Sequence, residues 1–281
     1  MENQRVCYVE IETDDNGEKQ MKSLEGLAIK GKVSRKAGTI AAEANVSIAN
    51  LTHSDIEYLS AYTSPYMKPK VKKLINIYAG YTQSGWGRIF QGDITEAMPQ
   101  GMPDTWLNIK AQSQYYNQRS PISYGVTNTT SKEIAQSIAD NLGLSFDWQA
   151  ASEKNIDIFD FIGSKAGLIK EYNKLDDVTM FEDNGTLRVI DKKAAPSEKD
   201  TNSIPLITKN SGLIGLPEPD EYGIKFKCLL NPSFLPGQWV KVESVKLPGL
   251  NGQYQIYTVD FDFESRGQAF YCDIYAKTGG V

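Results

Sequence analysis

Catalysis needs a few side chains in reach of one another, and this sequence offers few to choose from. Its one histidine is His53, in Leu51-Thr-His-Ser-Asp55. A serine nucleophile served by His53 would be expected on a Gly-x-Ser-x-Gly turn, and no such turn occurs. A single histidine also excludes a His-Glu-x-x-His zinc centre. The setting of His53, between an apolar alternating run and a helical one, reads as a helix cap. Gly163-Ser-Lys-Ala-Gly167-Leu-Ile-Lys170 has the glycines of a phosphate loop but not its Gly-Lys-Ser/Thr ending. Asp14-Asp15-Asn16-Gly17 lacks the downstream bidentate glutamate of a calcium loop, and Pro217-Glu-Pro-Asp-Glu221 reads as an exposed turn. The 35 acidic residues always offer carboxylate pairs, but no stretch marks a cleft that would hold two at glycosidase spacing. Cys7, Cys228 and Cys272 are odd in number, far apart and set in apolar runs, so they read as buried free thiols. The expectation is therefore a protein with no catalytic, cofactor-binding or metal-ligating residue, and not an enzyme.

The bulk composition is close to that of an ordinary soluble protein. The chain has 281 residues, a net charge of −5, 40% hydrophobic and 23% charged residues. That length suggests about two domains, or one with an insertion. The densest basic run, Lys68-Pro-Lys70-Val-Lys72-Lys73, reads as a solvated edge before a strand, so no nucleic-acid sequence recognition is expected. No apolar run reaches the ~18 residues of a membrane helix, and no membrane insertion is expected. The N-terminus has no basic region followed by an apolar run, which predicts synthesis in a cytosol without export by that route.

The positioning elements are mostly strands. Period-two alternation predicts strands over 5–12, 27–33, 44–51, 71–81, 87–95 and 105–113, with a short helix at 55–62. Thr130-Ser-Lys-Glu133 is a capping box, followed by Ile134, Ile138 and Leu142 at helical spacing and Gly143 to stop the helix. A second helix is predicted at 164–175, and Asn184-Gly185 should close a type I′ hairpin between 178–182 and 186–191. Residues 193–203, KKAAPSEKDTN, read as a linker. Strands return at 223–230, 238–245, 252–260 and 269–277. The expected domains are 1–117, an α+β unit at 118–192, a linker at 193–204, and 205–281.

The two β-rich ends resemble each other at a shift of 165 residues. Leu74–Ile77 falls on Trp239–Val242, Gly87 on Gly252, Ile94 on Val259, and Trp106–Ala111 on Tyr271–Ala276. This predicts a mainly β fold in which two similar small β-barrels flank an inserted α+β unit. Between two of the last strands lies Asn231-Pro-Ser-Phe-Leu-Pro-Gly237, a stiff loop with no chemistry in it. It is expected to set the angle between barrel strands and to offer Phe234 and Leu235 to a neighbour. The last barrel is also rich in aromatic residues, on both faces of 254–263. Trp239, Tyr257, Phe261 and Phe263 are the further candidate partner contacts.

These segments resemble a known family. Gly212-Leu-Ile-Gly215-x-Pro217, Cys228-Leu-Leu-Asn-Pro232 with Pro236-Gly237, and Asn251-Gly252-x-Tyr254 resemble the last barrel of baseplate hub proteins of contractile-tailed phages. Residues 75–94, INIYAGYTQSGWGRIFQGDI, are similar to the matching part of the first barrel. Such a hub is similar to the T-even phage hub protein and to the N-terminal part of type VI secretion spike proteins. The resemblance implies a homotrimeric ring whose six barrels match a sixfold tail tube protein to a threefold central spike protein. It also implies contacts with other baseplate (wedge) proteins, and a place in the virion tail of a myovirus after assembly in the host cytoplasm. Relatives fused to a spike run on into it; here the sequence stops at Val281, so spike and any lysozyme are expected as separate chains. Two rival readings stand: a tail-tip cell-wall hydrolase, and a glycan-binding module with its aromatics in one exposed groove.

Overall fold

The computed structural model describes residues 3–15, 18–38, 41–63, 72–101, 105–151, 153–175, 178–192 and 204–278. The fold is mainly β, built on large antiparallel sheets. The first third supplies β1 (Arg5–Asp15), β2 (Glu18–Leu24), β3 (Ile29–Lys36), β4 (Glu43–Ala49), helix α1 (His53–Thr63), β5 (Leu74–Tyr81), β6 (Gly85–Gln100) and β7 (Trp106–Gln112). The middle supplies α2 (Tyr115–Gln118), β8 (Pro121–Thr130), α3 (Ser131–Leu142), β9 (Ser145–Trp148), β10 (Asn155–Ser164), α4 (Lys165–Tyr172), β11 (Val178–Asp183) and β12 (Thr186–Asp191). The last third supplies β13 (Leu206–Ile207), β14 (Leu213–Asp220), β15 (Gly223–Leu229), β16 (Trp239–Val242), β17 (Gly252–Glu264) and β18 (Phe270–Thr278). The predicted linker 193–203, and Lys68–Val71 of the basic run, lie outside the described residues.

Local signals explain where the helices sit. Thr130 accepts from the Glu133 N–H at 3.2 Å while Glu133 accepts from the Thr130 N–H at 3.1 Å, closing the capping box at the start of α3. Gly143 ends that helix in the left-handed region at φ 68°. Asn184 and Gly185 both have positive φ, as a type I′ turn between β11 and β12 requires. At α1 the cap is Thr52, which accepts from the Asp55 N–H at 3.2 Å; His53 is the first helical residue and exposed.

The two ends of the chain pair their strands in the same order. In the first, β3 pairs β4, β4 pairs β7, β7 pairs β6, β6 pairs β5, and β5 pairs β1. In the last, β14 pairs β15, β15 pairs β18, β18 pairs β17, β17 pairs β16, and β16 pairs β13. β2 has no counterpart, and β13 runs parallel to its neighbour where β1 runs antiparallel. Ile77 pairs Phe90 and Val242 pairs Gly252; Ile94 pairs Ala111 and Ile256 pairs Ala276. The outer strands of each meander therefore keep the 165-residue shift, while the middle strand slips by three. Gly252 corresponds to Phe90 rather than Gly87, and Ile94 to Ile256 rather than Val259. A bulge at Tyr257 puts both Ile256 and Val259 in the core, so the apolar pattern fits at either shift.

Among the described strands neither six-strand set closes on itself as a separate barrel. Instead β17 pairs β3, from Thr258 opposite Lys36 to Glu264 opposite Lys30, and joins both sets in one 13-stranded sheet. One core runs under the joint, shared by Ile48, Ile75 and Ile77 from the first set and Val240, Phe261, Phe263 and Ile274 from the last. Each such side chain contributes roughly 1.5–3 kcal/mol by leaving water. A second core lies between α3, α4, the β8–β10 ribbon and the β9–β12–β11 sheet, around Ile134, Ile138, Leu168, Tyr172 and Val189.

Candidate assembly surface

The loop at 231–237 is where three parts of the chain meet. Asn231 Oδ1 accepts from the Ser233 N–H at 3.0 Å and from its hydroxyl at 2.7 Å, turning the chain at Pro232. Gly237 donates its N–H to the Ile256 carbonyl at 2.8 Å, and its carbonyl accepts from Gln255 Nε2 at 3.2 Å. A Cβ on Gly87 of β6 would lie 3.6 Å from Pro232 Cβ, and a Cβ on Gly237 would lie 3.0 Å from Ile190 Cγ2 of β12. The loop thus wedges the last set against both the first set and the middle unit. Gly237 sits at φ 89°, where a side chain is strained. Gly237→Ala is expected to cost about 1–3 kcal/mol, read as a lowered urea midpoint with unchanged secondary structure.

Three of the six expected partner contacts are core residues. Phe234 is 4% exposed, and Phe261 and Phe263 are fully buried. They face the chain's own interior because the core needs their area, so their rings cannot reach a partner. This corrects the expectation for those three. Leu235, Trp239 and Tyr257 are half-buried. Tyr257, on the bulge, donates its hydroxyl to Asp220 Oδ2 and meets the Tyr222 ring edge-on at 5.8 Å. Burial, and then the Asp220 carboxylate, push that hydroxyl well above its ordinary pKa.

Among the described residues most of the exposed large hydrophobic side chains are aliphatic, not aromatic. A cleft of about 820 Å3 lies beside β14, lined by Leu213, Leu216 and Val245 and by the charged Lys209, Glu243 and Lys246. Val245 is 98% exposed and Leu216 46%, with Ile214 and Leu247 near them in sequence also exposed. β14 pairs only β15 among the described strands. On the first set, Met98 of β6 is 57% exposed and Trp86 50%, the latter edge-on to Tyr8, which stacks on Tyr78. Leu213 and Leu216 share the strand β14; Leu213 pairs Cys228 and is buried, whereas Leu216 stands in the register irregularity between Ile214 and Glu218 and is exposed.

Among the described residues no three His, Cys, Asp or Glu side chains could hold a metal together, and no helix is long and apolar enough to cross a membrane. Cys228 and Cys272, 44 positions apart, are directly opposite on β15 and β18 as free thiols. Burial pushes the Cys272 thiol up to about 12 and the Cys228 thiol up as well, which makes both poor nucleophiles.

Comparison with known proteins places this geometry. No curated protein matches the sequence. Among solved structures, the chain is similar to the tail protein from Neisseria meningitidis MC58, with a TM-score of 0.63 at 10% identity, covering 97% of this chain and 96% of that one. It is also similar to the prophage MuSo2 43 kDa tail protein from Shewanella oneidensis, with a TM-score of 0.59 at 9% identity over 98% and 99% of the two chains. A third is the E. coli c3393 protein, described as a type VI secretion component resembling T4 tail proteins gp27 and gp5. Its TM-score is 0.60 at 11% identity, over 90% of this chain and 74% of that one. At such identities these likenesses show the fold. A family model for baseplate hub gp41 matches residues 6–276, nearly the whole sequence, and the chain belongs to that family.

Proposed function

We propose that this chain is a non-enzymatic structural subunit of a phage tail baseplate, and that three copies close into a ring between a sixfold tail tube and a threefold central spike. The observation that carries the reading is the doubled pairing order with its single internal joint. Within one chain, β17 of the last set pairs β3 of the first. The counterparts of those two strands are the second half of β6 and β14. If the joint repeats between copies, β14 of one chain meets β6 of the next. Ile214 and Leu216 then lie near Met98, and the cleft beside Val245 falls at the seam. A heterologous contact of this kind closes into a ring when its rotation permits, and three copies supply six near-equivalent units. Residues 118–192 form the insertion between the two units, and Leu235, Trp239 and Tyr257 remain available to tube, spike or wedge proteins.

The test is solution mass by light scattering over a dilution series. The expected result is a species near three times 31.2 kDa. Leu216→Asp with Val245→Asp should weaken association about tenfold or more, because two carboxylates must then give up water at the seam, a cost that Lys209 and Lys246 of the same cleft offset only in part. A chain that stays monomeric at every concentration, alone and with spike and tube proteins, would overturn the ring.

A further inference from the structure

The middle unit carries a second, unrelated surface on its β8–β10 ribbon. One face of the ribbon packs on α3 and α4 through Tyr124, Val126, Phe159 and Phe161. Strand alternation sends the residues between them to the other face, which is open. There β10 presents Ile158, Asp160 and Ile162, opposite Thr127, Gly125 and Ser123 of β8. Ile158 is 70% exposed and Ile162 86%, more than any other isoleucine among the described residues. The ribbon is a two-stranded sheet, so the outer side of β10 has no described strand beside it. Exposed edges are usually guarded by lysine, proline or a bulge. β10 has no lysine, proline or bulge: in its run NIDIFDFIGS the charges are Asp157 and Asp160, and it pairs β8 without a register shift.

We propose that the outer edge of β10 receives a strand from a different protein, whose side chains alternate apolar, basic, apolar at positions i, i+2 and i+4. A strand laid there would set its apolar residues beside Ile158 and Ile162, and its basic residue beside Asp160. Cross-strand neighbours on one face lie about 4.5–5.5 Å apart between Cβ atoms, close enough to select charge. Neither strand of the ribbon carries a lysine or arginine beside Asp160. The nearby Lys165 is turned away, bonded to Asn117 Oδ1 at 2.9 Å and to the Asn141 carbonyl at 2.6 Å. Charge also decides against a twofold contact between two copies of this chain at this edge. Two β10 edges meeting about a twofold axis centred on the stripe would place Asp160 against Asp160, and like charges directly opposite are destabilising. Backbone hydrogen bonds supply the affinity in strand addition, and the alternate side chains supply the choice of partner.

The experiment uses the full-length chain and two capped synthetic peptides, Thr-Ile-Thr-Lys-Thr-Ile-Thr and its counterpart with Glu in place of Lys. The lysine peptide is expected to bind roughly tenfold more tightly and to slow amide exchange within 155–164. Asp160→Lys should reverse the order of the two peptides. Ile158→Thr with Ile162→Thr, both on the exposed face, should lose binding of each. Equal binding of the two peptides, no protection of 155–164, or an order that Asp160→Lys leaves unchanged would overturn the proposal. So would self-association of the unmodified chain that the two threonine substitutions abolish, since that would give the edge to a second copy. None of these outcomes depends on whether the ring forms.

Discussion

Asp183→Ala is expected to cost the folded chain about 3–5 kcal/mol, and clearly more than Arg35→Ala. Asp183, at the end of β11, and Arg35, on β3, are each only 2% exposed. Arg35 donates through Nε to Asp183 Oδ1 at 2.7 Å, and its guanidinium lies 5.9 Å from the Phe261 ring. Arg188 of β12 donates to the other Asp183 oxygen at 3.2 Å. Removing Asp183 leaves Arg35 charged and buried with no carboxylate bonded to it. Removing Arg35 leaves Asp183 still held by Arg188. The two losses are therefore unequal, although they break the same pair. Replacing both residues with apolar ones of similar volume, Arg35→Met with Asp183→Leu, should fall much closer to the parent, because desolvating two charges offsets most of their attraction. Urea unfolding of the four proteins would show the order. If Asp183→Ala came within about 1 kcal/mol of the parent, the junction would be wetter than its burial implies. The pair matters for function because β3 is also the strand that joins the two sets. Arg35 thereby ties the middle unit to that joint.

Much of this fold was legible from alternation and turn chemistry, and what was missed has physical causes. The strands β1 and β3 to β7 follow from period-two runs, and α3 from its capping box, because these signals are local. The β8–β10 ribbon was not expected. Ile156 to Ile162 alternates as Ile-Asp-Ile-Phe-Asp-Phe-Ile, with apolar residues on both faces, so neither a half-buried nor a buried strand pattern fits it. That anomaly was itself the trace of an exposed apolar edge. The pairing of β17 with β3 could not be read at all, since more than two hundred residues separate the strands and pairing partners leave no local mark.

The candidate surface was less legible than the fold. Aromatic richness pointed to Phe261 and Phe263, yet large rings serve a core as readily as an interface, and the bulge at Tyr257 decides which residues turn inward. Leu235, Trp239 and Tyr257 keep some exposure because they stand at a loop, a short strand and that bulge. The repeat was legible in part: the outer strands of each meander keep the 165-residue likeness and the pairing order is shared, while the middle strand is displaced by three. It survived in the pattern because both copies must bury the same faces.

Raising the pH from about 5 to 8 is expected to weaken the fold through Glu182, and Glu182→Gln should remove that dependence. Glu182 is 4% exposed and lies beside Asp183 at the same junction. Its Oε2 is bonded to the Ser113 hydroxyl, and its Oε1 accepts from the Gly185 N–H at 2.8 Å. Burial pushes its pKa up to about 7, with Asp183 adding to the rise and Ser113, Gly185 and Arg35 opposing it. In the unfolded chain the group titrates near its ordinary value of 4.5. Between those two values the folded state holds a proton that the unfolded state has released. Its contribution is complete below about pH 4.5 and is lost as the pH rises through 7; a shift of this size corresponds to about 3 kcal/mol. Glutamine reproduces the protonated form: its amide can donate to Ser113 Oγ while its carbonyl accepts from Gly185. The variant should match the parent at pH 5, exceed it at pH 8, and show a flatter profile between. Urea midpoints for the two proteins at pH 5, 6, 7 and 8 would decide it. Parallel profiles would mean that Glu182 stays ionised in the folded state, with Arg35 outweighing burial.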